Sequence, residues 1–198
     1  FYVLKSGATN YAQVSIDFPV DDQGVQRLYT TIDAAINATT AANGDMIYVL
    51  PGHTESFTAA AGFALDVAGV SLIGLGVGNN RPVLTYESTD NAATTTQSGN
   101  NTSFKNFVLV CNDDALTNAH VVSGNNCTVD VEFQDTSSAI ETATAIRLDT
   151  ADNCNLKLKY NGFTAGNAVV SAVRLDDCDN VAISIDAYGV VSTAWVEM

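Results

Sequence analysis

A strand pattern that recurs every 27 residues constrains the fold of this chain more than any other feature. It occurs at 126–133 (NCTVDVEF), 153–160 (NCNLKLKY) and 180–187 (NVAISIDA). In each copy the apolar residues occupy alternate positions, which is the periodicity of a β-strand. A second strand recurs at the same offset, at 145–149 (AIRLD) and 172–176 (AVRLD). Two strands that recur together define one coil of a solenoid.

A repeat of this size, with several strands and no amphipathic helix, buries its apolar positions only by stacking on its neighbours. We therefore predict an all-β, single-stranded parallel β-helix in which residues 27 apart are ladder neighbours, about 4.8 Å apart. The outward charges agree with this register. Asp130 would lie beside Lys157, and Lys159 would lie between Glu132 and Asp186. Opposite charges in register stabilise such a stack slightly and check the alignment.

The residues that precede each first strand count the coils. Asn and Gly are suited to the left-handed backbone that a sharp turn requires. They predict about six coils, which begin after Asp45, Gly69, Asn101, Asn126, Asn153 and Asn180. In the coil from Asn101 the alternation breaks at Asn106. We place a β-bulge there, after which Phe107 and Leu109 point inward.

The segment 1–44 precedes the regular coils, and 45–198 forms the β-helix, the two making one continuous structural domain. We expect short strands at 1–7 and 14–19. The pattern at 31–39 predicts a helix with Thr30 or Thr31 as its N-cap. That helix would cover the open end of the solenoid core, because an uncovered coil end is an unpaired sheet edge.

Two segments are candidates for partner contacts. The last coil ends on apolar residues without a capping segment, so we expect either further residues or a partner to cover it. The polar run at 88–100 has no apolar side chain larger than Ala, and we expect it to project as a loop, where partner contacts concentrate. The candidate contact residues are Val190, Val191, Trp195, Thr94, Thr95 and Gln97.

The charge balance and the cysteines exclude several classes of partner and cofactor. Eight Lys and Arg face 22 Asp and Glu, for a formal net charge of −14. Such a surface repels nucleic acid, anionic lipid and polyuronate substrates. No apolar run approaches the roughly 18 residues of a membrane span. The four Cys lack metal-ligand spacing, and we interpret Cys127 and Cys154 as stacked, buried side chains, with a disulfide between them as the alternative. We expect no cofactor and no metal.

Charged and titratable clusters favour structural roles over catalysis. Arg147 and Arg174 recur with the repeat, so stacking explains them better than an active site does. The carboxylate clusters at 21–22, 113–114 and 176–179 fall in predicted turns, where Asp is favoured. His53 and His120 are isolated, without a nucleophile motif nearby. We therefore predict that the protein is not an enzyme.

A resemblance adds to this interpretation. The segments 31–36 (TIDAAI) and 42–55 (ANGDMIYVLPGHTE) resemble the opening of pectin-lyase-like right-handed β-helix proteins. The continuation at 65–76 (LDVAGVSLIGLG), with 80–82 (NRP), resembles a group of tailed-bacteriophage β-helix proteins. The resemblance covers 28–84 closely and the repeats to about 188. It implies a right-handed helix and a virion setting, and it transfers no catalytic residues.

This resemblance leads to an expected function. We expect a bacteriophage virion structural protein, a capsid decoration or cement component on the capsid surface rather than the tail. It would act through contacts with capsid or other virion proteins and associate with itself, a trimer being favoured. The alternative is a tail-spike or fibre module that binds or degrades host surface glycan. A third hypothesis, a secreted polysaccharide lyase, is disfavoured by the acidic surface and the few coils.

Overall fold

The computed structural model describes residues 1–17, 20–21, 23–60, 62–87, 92–112, 116–135, 142–162 and 169–198. Its helices and strands, in chain order, are β1 (Tyr2–Val3), α1 (Tyr11–Asp17), β2 (Leu28–Tyr29), α2 (Ile32–Ile36), β3 (Met46–Val49), β4 (Thr54–Phe57), β5 (Ser71–Gly74), the 3-10 helix η1 (Gly78–Asn80), β6 (Val83–Tyr86), β7 (Thr95–Gln97), β8 (Ser103–Cys111), β9 (Asn118–Val122), β10 (Thr128–Asp135), β11 (Thr144–Asp149), β12 (Asn155–Asn161), β13 (Ser171–Asp176), β14 (Ala182–Tyr188) and β15 (Ala194–Glu197).

The strands form a parallel β-solenoid of about seven coils. One sheet has the order β14-β12-β10-β8-β5-β3-β1-β2, with β4 and β6 joining it beside β8, and the second has the order β15-β13-β11-β9-β7. The prediction of an all-β parallel β-helix is confirmed. The predicted six coils are one too few, because β1 pairs with β3 and adds a coil ahead of Asp45.

The 27-residue register is also confirmed. Leu156 pairs with Val129 on one side and with Ile183 on the other. Lys157 lies opposite Asp130, and Lys159 lies opposite Glu132 and Asp186, as the charge columns predict. The inward side chains of the successive coils form one continuous hydrophobic core.

Left-handed backbone occurs at the predicted turn positions with one exception. Asn101, Asn126, Asn153 and Asn180 have φ between 55° and 58°, and Gly69 has φ of 80°. The exception is Asp45, where the prediction is wrong because Gly44 (φ 69°) makes the left-handed turn instead. The Asp45 carboxylate accepts hydrogen bonds from the Thr40 backbone N–H and the Asn43 amide, which stabilises the same turn from its side chain.

The predicted bulge at Asn106 is confirmed. Asn106 has φ of 65°, and the register between β8 and β10 shifts at this point. Its side-chain amide donates to the carbonyl oxygens of Gly74 (2.7 Å) and Gly76 (3.1 Å). These bonds hold the bulge against the neighbouring coil, and Phe107 and Leu109 are buried as predicted.

The N-terminal helix prediction is confirmed, and one strand prediction is wrong. Thr31 caps α2 by accepting a hydrogen bond from the Ala34 N–H, and Ile32 and Ile36 pack into the core. Residues 11–17, which include most of the predicted strand at 14–19, form α1, whereas 18–19 lie outside the described residues. A helix buries Val14 in a small cluster with Leu4 and Leu28.

The predicted loop at 88–100 is wrong at its centre, whereas the described residues on either side, 92–94 and 98–100, have no helix or strand. Residues 95–97 form β7, and Thr95 and Gln97 are buried. The sequence suggests a loop because these side chains are polar, but inside the solenoid Thr95 hydrogen-bonds with Tyr86 and His120, and Gln97 donates to Thr102. Residues 88–91 lie outside the described residues.

Candidate functional site: the last coil and a lateral cleft

The inward-facing side chains of the last coil are more exposed than those of the coil before it. In β12, the inward side chains of Leu156, Leu158 and Tyr160 are buried. Their neighbours in the next coil, Ile183 and Ile185, are only partly buried although they pack on the same core. Apolar surface exposed in a continuous patch beside a strand edge is typical of an association site.

The strands of the last coil are also unpaired on one side. Among the described strands, β14 pairs only with β12, and β15 pairs only with β13. The other edge of each strand therefore has no partner among the described strands. The exposed side chains Tyr188, Val190 and Trp195 lie in this coil. Trp195 is 37% exposed, and its ring contacts the Tyr160 ring edge-on, with centroids 5.4 Å apart.

The predicted contact residues divide into two groups. Val190 is 45% exposed and Trp195 is accessible, whereas Val191 is partly buried against the core. Thr94 is partly buried and directly precedes β7 in the chain. Thr95 and Gln97 are fully buried and do not belong to the exposed surface of the described chain.

Thr95 and Gln97 belong to a buried polar cluster that the sequence did not predict. Thr95 contacts the Tyr86 hydroxyl (2.8 Å) and His120 Nδ1 (2.9 Å), and Gln97 donates to the Thr102 hydroxyl (2.9 Å). Burial lowers the pKa of His120 to about 3. His120 is therefore neutral and unsuited to act as a general base near neutral pH. The 25-residue spacing between Thr95 and His120 could have predicted their pairing.

A shallow lateral cleft of about 290 Å³ crosses the outer face of the first sheet. Four of the eight basic residues of the chain line it, interleaved with three acidic residues. They are Arg81, Lys105, Lys157 and Lys159, with Asp130, Glu132 and Asp186. The charged side chains that line the cleft therefore sum to +1, whereas the whole chain has a formal net charge of −14.

Glu132 is the central charge of this cleft. Its side chain is only 5% exposed and contacts Arg81 Nη2 at 2.6 Å and Lys159 Nζ at 3.1 Å. Burial opposes its ionisation, but the hydrogen bonds from Gln134, Arg81 and Lys159 outweigh burial and lower the pKa of Glu132 to about 2. A glycosidase acid requires a raised pKa, so Glu132 is unsuited to that role.

The second sheet has a separate ion-pair column. Arg147 Nε contacts the Asp176 carboxylate at 2.6 Å, and Arg174 contacts the same carboxylate at 3.0 Å. The hydrogen bond from Arg147 is the main cause of the lowered pKa of Asp176. This column joins successive coils, which agrees with the structural role that the repeat predicts.

The other candidate groups are His53 and the carboxylates of the predicted turns. His53 Nε2 lies 3.1 Å from Glu55, which also accepts a hydrogen bond from the Ile32 N–H at the start of α2. Asp22 and the pair at 113–114 lie outside the described residues. In the part of the chain that the structure describes, no group of three or more His, Cys, Asp or Glu could hold a metal ion.

All four Cys are free, and Cys127 and Cys154 are buried in neighbouring coils, as the stacking prediction requires. The described residues include no helix of the length and apolar character needed to cross a bilayer.

Comparisons with known protein families, with curated proteins and with solved structures found no match to this chain. The fold therefore rests on the structure itself. The likeness to bacteriophage proteins rests on the sequence motifs alone.

Proposed function

We propose that the protein is a structural component of a tailed-bacteriophage virion, a decoration or cement protein that acts through protein–protein contacts. The observation that carries this proposal is the last coil, where a partly exposed apolar column lies beside two unpaired strand edges. A partner that covers this coil would bury apolar surface. Each Å² removed from water would contribute about 25 cal/mol to the binding free energy. It would also complete the backbone hydrogen bonds of β14 and β15.

The rest of the molecule supports a contact role. Columns of buried side chains and ion pairs between coils make the solenoid a rigid rod. Its charge of −14 opposes non-specific association with other acidic surfaces. The motifs at 28–84 support the virion setting, and the capsid surface is the location that we propose within it. A homotrimer is the expected oligomer, and light scattering after size-exclusion chromatography measures it directly.

The location of the protein in phage particles tests the proposal. Purified particles from the phage that encodes the chain would be labelled with an antibody against it and imaged by electron microscopy. Label on the head is the expected result. Label on the tail would support the second candidate instead, and absence of the protein from particles would overturn both.

The second candidate is a tail-spike or fibre module that binds host glycan, and the lateral cleft is the observation that favours it. Its interleaved cations, carboxylates and amides match the hydroxyl groups of a surface polysaccharide. Titration of purified host glycan, with release of reducing sugars as a second measurement, tests this candidate. Binding that Arg81→Ala abolishes would support a glycan module, and sugar release would overturn the non-enzymatic prediction.

A further inference from the structure

We infer that a lateral groove on the outer face of the first sheet binds an extended segment of a partner protein, with an aliphatic side chain of the segment in a valine-lined cavity and a carboxylate, two residues away, at Lys105. The inference rests on the proposed contact role of the protein and names the chemistry of a partner. The groove consists of the lateral cleft and an adjoining cavity, which share Arg81, Glu132 and Lys159. Most of its floor is formed by β6, β8, β10 and β12, each of which has a described neighbour on both sides. Its exposure therefore does not depend on which coil is the last.

The adjoining cavity, here called the valine cavity, has an aliphatic floor. It has a volume of about 310 Å³, and Val83, Val108 and Val110 line it. Val83 lies opposite Val108 in the ladder, and none of the three valines is part of the described hydrophobic core. Val77, which precedes the cavity-lining Gly78, is 82% exposed. Apolar side chains on an outer face, outside the core, are typical of a contact surface.

An ion pair separates the valine cavity from the cleft. Arg81 Nη2 contacts the Glu132 carboxylate at 2.6 Å, and Arg81 Nε donates to the Gly78 carbonyl oxygen at 3.0 Å. Lys159 Nζ contacts the same carboxylate at 3.1 Å. The charges at this boundary therefore already have partners, and a charged ligand group has to find its own partner elsewhere in the cleft.

Lys105 is a cation of the cleft that lacks such a partner. It forms no ion pair within the described residues. Its ladder neighbours are Ile73 and Asp130, and the Asp130 carboxylate lies 3.7 Å from Lys157. A carboxylate from a partner would give Lys105 an opposite charge, which is the electrostatic complementarity that selects partners.

Two departures from the repeat shape this groove. The bulge at Asn106 shifts the register of β8 against β10, and both Lys105 and Asn106 line the cleft. Arg81 reaches Glu132 from a segment outside the repeat. Regular stacking of coils requires neither feature. Bulges often re-aim side chains beside functional sites, so their position here favours a binding role for the groove.

The ladder gives the spacing between the two parts of the groove. On β10, 130–132 line the cleft, whereas Glu132 and Gln134 line the valine cavity. The centres of the two parts therefore lie about two strand positions apart, or roughly 6.6 Å. Side chains on one face of an extended peptide have the same spacing. Pockets that accept alternate side chains are a common mode of recognising extended peptides.

The lining of the groove favours a protein segment over a glycan or a second copy. In the described part of the chain no aromatic ring lines either cavity, so no flat surface is present on which a sugar ring could stack. An aliphatic floor instead matches an aliphatic side chain. A second copy would bring together two chains of charge −14, which repel each other.

A synthetic peptide provides the probe. It is a heptapeptide, blocked at both ends, in which a central leucine has an aspartate two positions away on each side and serine or glycine elsewhere. This peptide fits the groove in either direction. One control replaces both aspartates with asparagine, and the other replaces leucine with serine. Two-dimensional NMR of the isotope-labelled protein measures binding at up to millimolar peptide.

We expect saturable shifts at Lys105, Val83 and Val110 with the parent peptide. The asparagine control should bind about three- to tenfold more weakly because it lacks the charge that pairs with Lys105. The serine control should bind about tenfold more weakly because it buries no aliphatic side chain.

Two protein variants assign these effects to the groove. Lys105→Gln should abolish the preference for aspartate over asparagine, whereas Lys5→Gln, outside the groove, should retain it. Val110→Thr keeps the size of the side chain but makes the cavity more polar, so it should weaken binding of the parent peptide about threefold. Val121→Thr, at a partly exposed position of β9 in the second sheet, is the matched control. Circular dichroism verifies that each variant is folded.

Several outcomes would overturn the inference. These are the absence of saturable shifts at millimolar peptide, equal affinity for the three peptides, and tighter binding of the asparagine control, in which repulsion by the whole chain would exceed attraction to Lys105. Shifts at the same residues with host glycan, but not with peptide, would assign the groove to a glycan. Concentration-dependent shifts without peptide would assign it to a second copy. Protein on phage heads without peptide binding would refute only this inference, whereas peptide binding by a protein absent from particles would refute only the proposed function.

Discussion

At the scale of single residues, left-handed turn positions determine where each coil begins. Four Asn in four successive coils have nearly the same positive φ. The sequence predicts them because Asn tolerates this conformation better than other non-glycine residues. It misassigned the first turn because Asp45 and Gly44 are adjacent turn formers, and only the backbone shows which one is left-handed.

Replacing Asn153 tests the importance of one such turn. Asn153→Val should lower the free energy of unfolding by about 1–2 kcal/mol, since a β-branched residue is strained at φ of 56°. Asn153→Gly is the matched control and should stay within about 0.5 kcal/mol of the parent chain. Urea denaturation measures both. Equal losses for the two variants would show that the Asn side chain, rather than the backbone conformation, stabilises the turn.

His120 gives the protein a defined pH dependence. Its pKa is about 3 in the folded chain, against 6.5 for an unperturbed His. Below pH 6.5 the unfolded chain therefore binds a proton that the folded chain does not bind, and stability falls as the pH falls. We expect His120 to contribute a loss of about 1.5 kcal/mol between about pH 6.5 and pH 5.

Comparison with His120→Gln isolates this contribution. The variant should show a shallower fall in the free energy of unfolding over the same interval, as measured by urea denaturation at each pH. Glu132 and Asp176 have lowered pKa values, so the stability that they contribute is lost mainly at a lower pH. They therefore add little to the slope of the free energy of unfolding between pH 6.5 and pH 5. Identical slopes would contradict a neutral, buried His120.

At the scale of strands and ladders, the sequence predicts the pairings between copies of the repeat. It does not predict the contacts of residues outside the repeat. The 27-residue period identified the pairs Asp130 with Lys157 and Glu132 with Lys159. It could not identify Arg81, which contacts Glu132 across 51 residues from a segment outside the repeat. The buried polar cluster was missed for a related reason, because a polar run suggests a loop unless its partners are known.

The ion pairs of the cleft should differ in their contribution to stability. Glu132→Ala removes a nearly buried carboxylate with three donors, and we expect a loss of about 2 kcal/mol. Asp130→Ala removes a 48% exposed carboxylate that lies 3.7 Å from Lys157. Its loss should be below about 0.5 kcal/mol. Thermal denaturation of the two variants measures the difference, and similar losses would refute the ranking.

Close stacking of backbone between coils should make one glycine sensitive to substitution. A Cβ at Gly124 would lie 2.5 Å from the Gly99 carbonyl oxygen in the preceding coil. Gly124→Ala should therefore destabilise the protein by about 1–3 kcal/mol. Gly7→Ala is the control, because no atom lies within 4 Å of its added Cβ. Unfolding midpoints in urea would reveal the contrast, and a neutral Gly124→Ala would contradict the stacking of these coils.

At the scale of the whole molecule, the two ends of the solenoid differ. At the N-terminal end, α2 and β2 pack against the first coils and cover the core. At the other end, β14 and β15 have free edges and the apolar column is partly exposed. The sequence predicted this asymmetry from a capping helix and an apolar last coil. It could not define the edge, because the direction of each backbone N–H depends on the pairing.

Residue-resolved hydrogen exchange along β14 in the isolated protein tests this account most directly. We expect alternating protection, with slow exchange at Ser184 and Asp186, whose N–H groups face β12, and fast exchange at Ile183, Ile185 and Ala187. Uniform protection would mean that the edge is already covered. Uniformly fast exchange would mean that the last coil does not form, and either result would contradict an ordered strand with one free edge.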